Sequence, residues 1–259
     1  MLFRDKHPVP GHVMITGASS GLGAALAEYY AERGSHLSLS GRSKARLDGV
    51  AQSCRNKGAD VRATPLDICS REDCEDWVRQ ADDWKPLELM IANAGISAGT
   101  GNGGETEEQT HQILETNCRG LVNSVMPALE RMKSRGKGQI ALMSSLAAFR
   151  GFPGAPAYCG SKAMVRIWGE ALRGELAPQG LAVNVICPGY VRTPMTDVND
   201  FPMPFLMSAE KAAGIIARGL AGNRARIAFP FPTYFAAWML GVLPVGLTDS
   251  LLARLPRKA

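Results

Sequence analysis

Tyr158 and Lys162 stand four residues apart in Ala157-Tyr-Cys-Gly-Ser-Lys162. In a helix that spacing puts them one turn apart on the same face. A phenol is a poor acid or base at neutral pH, with an unperturbed pKa of about 10. A cation close by stabilises the phenolate and lowers that value. Tyr158 is therefore the candidate general acid/base and Lys162 its electrostatic partner. Ser145 lies thirteen residues before the tyrosine, with Ser144 as an adjacent rival. A hydroxyl there is suited to holding a substrate oxygen and steadying a developing alkoxide. These groups can move a proton at a carbonyl or alcohol oxygen, but none of them can carry a hydride.

A hydride donor is suggested far upstream. The short apolar run His12-Val-Met-Ile15 leads into Thr16-Gly-Ala-Ser-Ser-Gly-Leu-Gly23. Gly17, Gly21 and Gly23 fall where a strand turns into a helix. The missing side chains there let backbone N–H groups of Ser19, Ser20 and Leu22 and the helix N-terminus approach a pyrophosphate. The same residues also satisfy a nucleophile elbow, Gly17-Ala-Ser19-Ser-Gly21, and so raise a serine hydrolase. That reading fails. The only histidines after Ser19 are His36 and His111, the C-terminal half has none, and no strand precedes the elbow to supply an oxyanion hole.

The next strand ends Leu39-Ser-Gly41-Arg42-Ser43, with no Asp or Glu between Glu32 and Asp48. An NAD site uses a carboxylate at such a strand end to accept from the ribose 2′-OH. Gly41 occupies that position, and Arg42 offers a planar fork of donors suited to a 2′-phosphate. NADP is the expected cofactor.

Taken together, the glycine loop and the Ser145, Tyr158 and Lys162 set resemble the short-chain dehydrogenase/reductase family, over roughly residues 11–230. The resemblance favours Ser145 over Ser144 and implies a fourth catalytic residue, Asn117, holding a water that links the lysine to solvent. Lys162 would also bond the nicotinamide ribose. Asp67 in Leu66-Asp-Ile68 matches the aspartate that meets the adenine amine, with Ile68 beside it. Asn93-Ala94-Gly95 matches the family's N-A-G near the adenine ribose, although Ala92 stands where many members have another asparagine. Cys187-Pro188-Gly189-Tyr-Val191-Arg-Thr193-Pro194 matches the segment whose backbone meets the carboxamide and whose threonine reaches cofactor oxygens. Cys187 itself reads as a small buried hydrophobe.

Those residues must be placed by alternating elements. Strands are expected at 12–15, 36–40, 61–66, 87–92, 139–143, 181–186 and 225–229. Helices are expected at 22–33, 44–57, 71–83, 107–135, 156–176 and 209–220. Alternation of this kind means right-handed βαβ units, a Rossmann-like doubly wound parallel sheet of about seven strands, and ligands beyond the strands' carboxyl ends. Gly17, Gly41, Asp67, Asn93, Ser145 and Pro188 each follow a strand. With 259 residues, 46% of them apolar, and no linker or repeat, one domain over 1–259 is expected.

The net charge of +5 is carried by interspersed residues with no aromatic-studded basic stripe, so no nucleic-acid partner is expected. Six scattered cysteines without a C-x-x-C pair, and four histidines, argue for free thiols and no metal. Met1–Pro10 has no apolar h-region, and a cytoplasmic protein is expected, a homodimer or homotetramer by family resemblance.

By the resemblance, the apolar loop Asp200-Phe-Pro-Met-Pro-Phe-Leu-Met207 is a substrate lid. With Phe149 and Phe152 it suggests a greasy pocket, hence a lipophilic ketone or secondary alcohol. A sugar or polyol of an envelope polysaccharide is the second substrate reading. A non-catalytic dinucleotide-binding scaffold is the alternative of another class, opposed by the intact Ser145, Tyr158 and Lys162 set. Residues 233–259 form an apolar extension. Ile227 to Thr248 carries no charge over 22 residues, but Pro230, Pro232 and Pro244 break it. One helical segment, Thr233 to Leu255, is expected to lie on a membrane surface (with Arg254, Arg257 and Lys258 flanking it), against a second subunit, or over the pocket, without spanning a bilayer.

Overall fold

The computed structural model describes residues 7–98 and 104–252, apart from the side chains of Ser250 and Leu251. The expectations for residues 1–6, for loop residues 99–103 and for Arg254, Arg257 and Lys258 lie outside the described residues.

Seven parallel strands form one sheet: β1 (His12–Ile15), β2 (His36–Gly41), β3 (Val61–Pro65), β4 (Leu89–Ala92), β5 (Gly138–Met143), β6 (Leu181–Pro188) and β7 (Arg226–Phe229). Their order is β3-β2-β1-β4-β5-β6-β7. The chain winds outward from β1 in one direction, then returns to β4 and winds the other way, leaving a crevice at the carboxyl ends of β1 and β4. The central strands are buried on both faces, as all-parallel sheets require.

Alternate strand residues feed two apolar layers. Val13, Ile15, Leu37 and Ile91 pack with α1 (Gly21–Ala31), α2 (Lys44–Asn56) and α7 (Ala209–Ala221). Met14, Met90, Ile140 and Leu142 face the other way, toward α3 (Arg71–Trp84), α5 (Leu121–Arg135) and α6 (Pro156–Leu176). The expected boundaries agree within about two residues, with Pro156–Leu176 matched at both ends.

Two expectations are corrected. The helix expected over 107–135 is interrupted: α4 (Glu107–Leu114) passes into a π-helical turn at Glu115–Gly120 before α5 begins. Thr106 and Gln109 close a capping box at the start of α4. Within the π turn, Asn117 donates to Ile96 O at 2.9 Å and Ser161 Oγ at 3.0 Å, and accepts from Ile96 N at 2.8 Å. A wider turn at a functional position re-aims a side chain that regular spacing would point elsewhere. Gly120 closes the turn where a Cβ would come within 2.7 Å of Ile68 Cγ1.

The C-terminal extension is also not one helix from Thr233. It is α8 (Phe231–Val242) and α9 (Val245–Leu252), parted at Leu243-Pro244. Pro232 is tolerated in the first turn of α8, where its missing N–H has no partner to lose. Pro244 has no such excuse and ends the run. Ala237 of α8 packs with Leu146, Val185 and Cys187, and the Tyr234 ring meets Phe149 at 5.5 Å. Among the described residues no helix is long and apolar enough to cross a membrane.

Candidate active site

An open cleft lies along the carboxyl ends of the strands. The loop between β1 and α1 forms its floor. Gly17 takes φ +66°, and a Cβ there would stand 2.8 Å from Ala94 Cα. At Gly23 a Cβ would meet Gly17 O at 2.3 Å and Asn93 Nδ2 at 2.6 Å. The loop, α1 and the β4 end are thus closed to within less than a methyl group. Asn93 donates to Thr16 O at 3.0 Å and Gly17 O at 3.2 Å, while Thr16 Oγ1 accepts from the Asn93 and Ala94 amides at 3.0 Å each.

These observations fit a dinucleotide. Ser20, the N-cap of α1, makes no side-chain capping bond, so first-turn N–H groups remain for an anion. Ser40 Oγ is buried at the cleft edge without a hydrogen-bond partner. Arg42 and Arg46 line the same end, and a Cβ on Gly41 would lie 3.0 Å from the Ser19 side chain. Any side chain at residue 41, a carboxylate included, would press on Ser19, which would have to give by a few tenths of an ångström.

At the other end of the cleft, α6 delivers Tyr158 and Lys162. Lys162 is buried, its ammonium donating to Met143 O at 3.0 Å and lying 5.8 Å from the Tyr158 ring centre. Burial brings the Lys162 ammonium down to about 8. Burial likewise pushes the Tyr158 phenol above its ordinary value, while the hydrogen-bonded Ser145 hydroxyl pulls it back. Ser144 is engaged elsewhere, its buried hydroxyl donating to Lys162 O at 2.7 Å and tying α6 to the end of β5. Ser145 faces the cleft from the start of the 3₁₀ turn Leu146–Ala148, and its Oγ accepts from Ala147 N at 3.1 Å.

Every residue expected to bind the cofactor lines the cleft: the glycine loop from Gly17 to Gly23 apart from Ala18, Arg42, Asp67, Ile68, Asn93 to Gly95, Pro188, Gly189, Val191 and Thr193. Ser145, Tyr158 and Lys162 line it as well. Asn117 does not; it sits wholly buried behind the lysine. A Cβ on Gly95 would lie 3.1 Å from Asn117 Oδ1 and 3.2 Å from Lys162 Nζ, so these two groups flank one small space.

The chain from residue 11 to residue 201 matches the family model for short chain dehydrogenases. It belongs to that family. An uncharacterised oxidoreductase of Myxococcus xanthus is 34% identical over 243 residues, covering 93% of this chain and 96% of the relative. The structure of a Sphingobium yanoikuyae short-chain dehydrogenase in complex with NADPH superposes with a TM-score of 0.79 at 26% identity, covering 96% and 98% of the two chains. A Mycobacterium paratuberculosis short-chain dehydrogenase bound to NAD gives a TM-score of 0.74 at 23% identity, covering 84% and 94%. The chain is thus a short-chain dehydrogenase-type oxidoreductase with a site for a nicotinamide cofactor.

Sequence reasoning missed several residues of the short-chain dehydrogenase site. Arg46, Ile96, Thr116, Met195 and Thr196 line the cleft. Glu105 accepts from Ala157 N at 2.5 Å and Tyr158 N at 3.2 Å, capping the helix that carries the tyrosine. No local pattern signals this cap, because it comes from 52 residues upstream. Phe149 and Phe152, expected in the pocket, do not line the cleft; they border a separate hollow beside α9. Phe149 instead packs on Tyr234, which the apolar extension supplies. No described residue of α8 or α9 lines the main cleft.

Proposed function

We propose that the protein is an NADP(H)-dependent reductase interconverting a ketone and a secondary alcohol. The observation that carries this is the convergence of Ser145, the Tyr158 phenol and the buried Lys162 ammonium at one end of a cleft whose other end presents Arg42. When bound, the reduced nicotinamide supplies the hydride. Ser145 Oγ holds the carbonyl oxygen and donates to it as negative charge builds. Tyr158 gives that oxygen its proton, and Lys162 stabilises the phenolate left behind. Asn117 fixes the loop at Ile96 that walls Lys162, and Glu105 holds the first turn of α6. In the oxidising direction the proton returns to the phenolate by the same path.

Preference for NADP rests on Arg42 and Arg46 beside Gly41, where a carboxylate would crowd Ser19. A lipophilic substrate is supported by the apolar segment at 200–207. None of its residues lines the cleft itself, but it is strapped beside the cleft-lining Gly189, Val191 and Thr193 by Arg192 N to Met207 O at 2.9 Å and Met207 N to Tyr190 O at 3.2 Å, with Phe201 against Tyr190. The test is NADPH oxidation across a panel of ketones, from polar to long-chain, with both cofactors titrated against wild type and Arg42→Ala. Loss of the charge-assisted contact should weaken NADPH by about 10- to 150-fold and leave NADH unchanged. Equal affinities in the wild type would overturn the cofactor assignment. No turnover with any carbonyl, despite binding, would overturn the enzyme reading.

A further inference from the structure

The C-terminal extension presents an apolar face that the rest of the described chain leaves uncovered. Phe231, Phe235, Trp238 and Val242 are all exposed and recur at intervals of four, three and four, which places them on one side of α8. The first three rings form a ladder, with centres 6.1 Å apart at each step. The face continues past α8: residues 243–247 are exposed without interruption, with Leu243, Val245 and Leu247 bare. The opposite side of α8 is spent on the protein, through Ala237 in the core and Gly241, where a Cβ would lie 2.5 Å from Phe149 O.

The chemistry of this face distinguishes its occupant. A protein interface of useful size carries about one hydrogen bond per 100–200 Å² and a polar rim. From Phe231 to Leu247 the side chains offer almost nothing of that kind. Thr233 Oγ1 donates to Pro230 O at 3.1 Å, and Tyr234 OH accepts from Arg226 at 3.4 Å, so both are engaged internally. The Trp238 indole is the other polar handle, and an N–H beside an apolar ring suits the ester level of a bilayer. Charge complements the pattern. Ile227 to Thr248 is uncharged, Asp249 is paired to Arg150 at 2.7 Å, and the sequence after it holds Arg254, Arg257 and Lys258 with no acid. An apolar face followed by cations alone fits an anionic lipid headgroup layer.

We propose that this face of α8, with the 243–247 segment, seats the protein on the surface of an anionic membrane. α8 lies in the headgroup layer without crossing it, its rings reaching about 5–10 Å into the acyl boundary. Because the main cleft contains no described residue of α8 or α9, seating this face does not require the cleft to change.

The test is flotation of the full-length protein with vesicles of phosphatidylcholine alone or with about one-third phosphatidylglycerol. It runs beside light scattering of the lipid-free protein. Partition onto the anionic vesicles should exceed that onto neutral ones by on the order of a hundredfold, the size expected at about 1 kcal/mol for each of three cations in the sequence after Asp249, and should fall in high salt. Phe235→Ser with Trp238→Ser should cut partition at least tenfold, since two large apolar side chains no longer transfer. Both are exposed, so the fold should survive. As a second reading, tryptophan emission should shift to the blue on anionic vesicles in wild type but not in Trp238→Phe. Absence of partition, or partition unchanged in the double variant, would overturn the proposal. So would a lipid-free mass that halves in the double variant, which would give the face to a second copy of the chain. These readouts involve no turnover and stand or fall apart from the proposed activity.

Discussion

Asn117→Ala should weaken both the fold and the chemistry. Asn117 is fully buried and makes three hydrogen bonds, two to the backbone of Ile96 and one to Ser161 Oγ, at 2.8 to 3.0 Å. Each net bond is worth about 0.5–1.5 kcal/mol, so their joint loss costs about 1.5–4.5 kcal/mol. In a chain of this size 1 kcal/mol lowers the melting temperature by about 2–4 °C, which gives a fall of roughly 3–18 °C. The π turn at Glu115–Gly120 then loses its ties to Ile96 and Ser161, and the Ile96 backbone loses both its bonds to that turn. Turnover should fall at least tenfold while the NADPH dissociation constant changes less than about threefold, because Asn117 does not line the cleft. Thermal unfolding, cofactor titration and steady-state kinetics on one preparation separate these effects. A variant melting within about 1 °C of wild type and turning over within twofold would refute the claim that Asn117 organises this end of the site.

Tyr158→Phe should lose more than tenfold in turnover, over ~1.4 kcal/mol in the barrier, while NADPH still binds; isothermal titration with kinetics checks both halves. Since burial brings Lys162 to about 8, kcat/KM for ketone reduction should have an alkaline limb centred near that pH as the ammonium is lost, and a rate flat to pH 10 would contradict it. Glu105→Ala should lower stability by about 0.5–2 kcal/mol through the lost cap of α6 and reduce kcat with little change in cofactor affinity, as unfolding curves and kinetics would show. His12 is buried and held down to about 4, so it stays neutral in the fold while the unfolded chain takes a proton near 6.5. Its contribution is present above pH 6.5 and is lost as pH falls through 4, by about 3–4 kcal/mol in all, most of it by pH 4.5; urea unfolding at pH 7 and 4.5 should show a smaller loss in His12→Gln.

Much of this arrangement is legible in the sequence because local rules and global fold agree. The strand-to-helix turn at Gly17–Gly23, the stop at Gly41-Arg42 and the four-residue spacing of Tyr158 and Lys162 are short-range patterns, and the sheet places them as those patterns demand. The separate role of Ser144 is not legible, since it depends on that hydroxyl reaching 18 residues along the chain to Lys162 O. The π turn is hidden because periodicity over 107–135 tolerates one added residue, and its cause is the distant Ile96 backbone. Phe149 is misplaced for a similar reason: an aromatic four residues after Ser145 suggests a pocket wall, whereas Tyr234 of α8 claims it. Pro244 is visible as a helix breaker, yet a long uncharged run on both sides of it favours one continuous segment over the two short helices that form.

The central claim is that a hydride passes from a nicotinamide in this cleft to a carbonyl carbon while Tyr158 supplies the proton. It is tested most directly with NADPH carrying deuterium on the transferred position of the nicotinamide, using the best ketone from the panel. Mass spectrometry of the alcohol should find one deuterium on the carbinol carbon with wild type and negligible product with Tyr158→Phe. Alcohol formed without the label, or labelled alcohol formed as fast by the Tyr158→Phe protein, would contradict it.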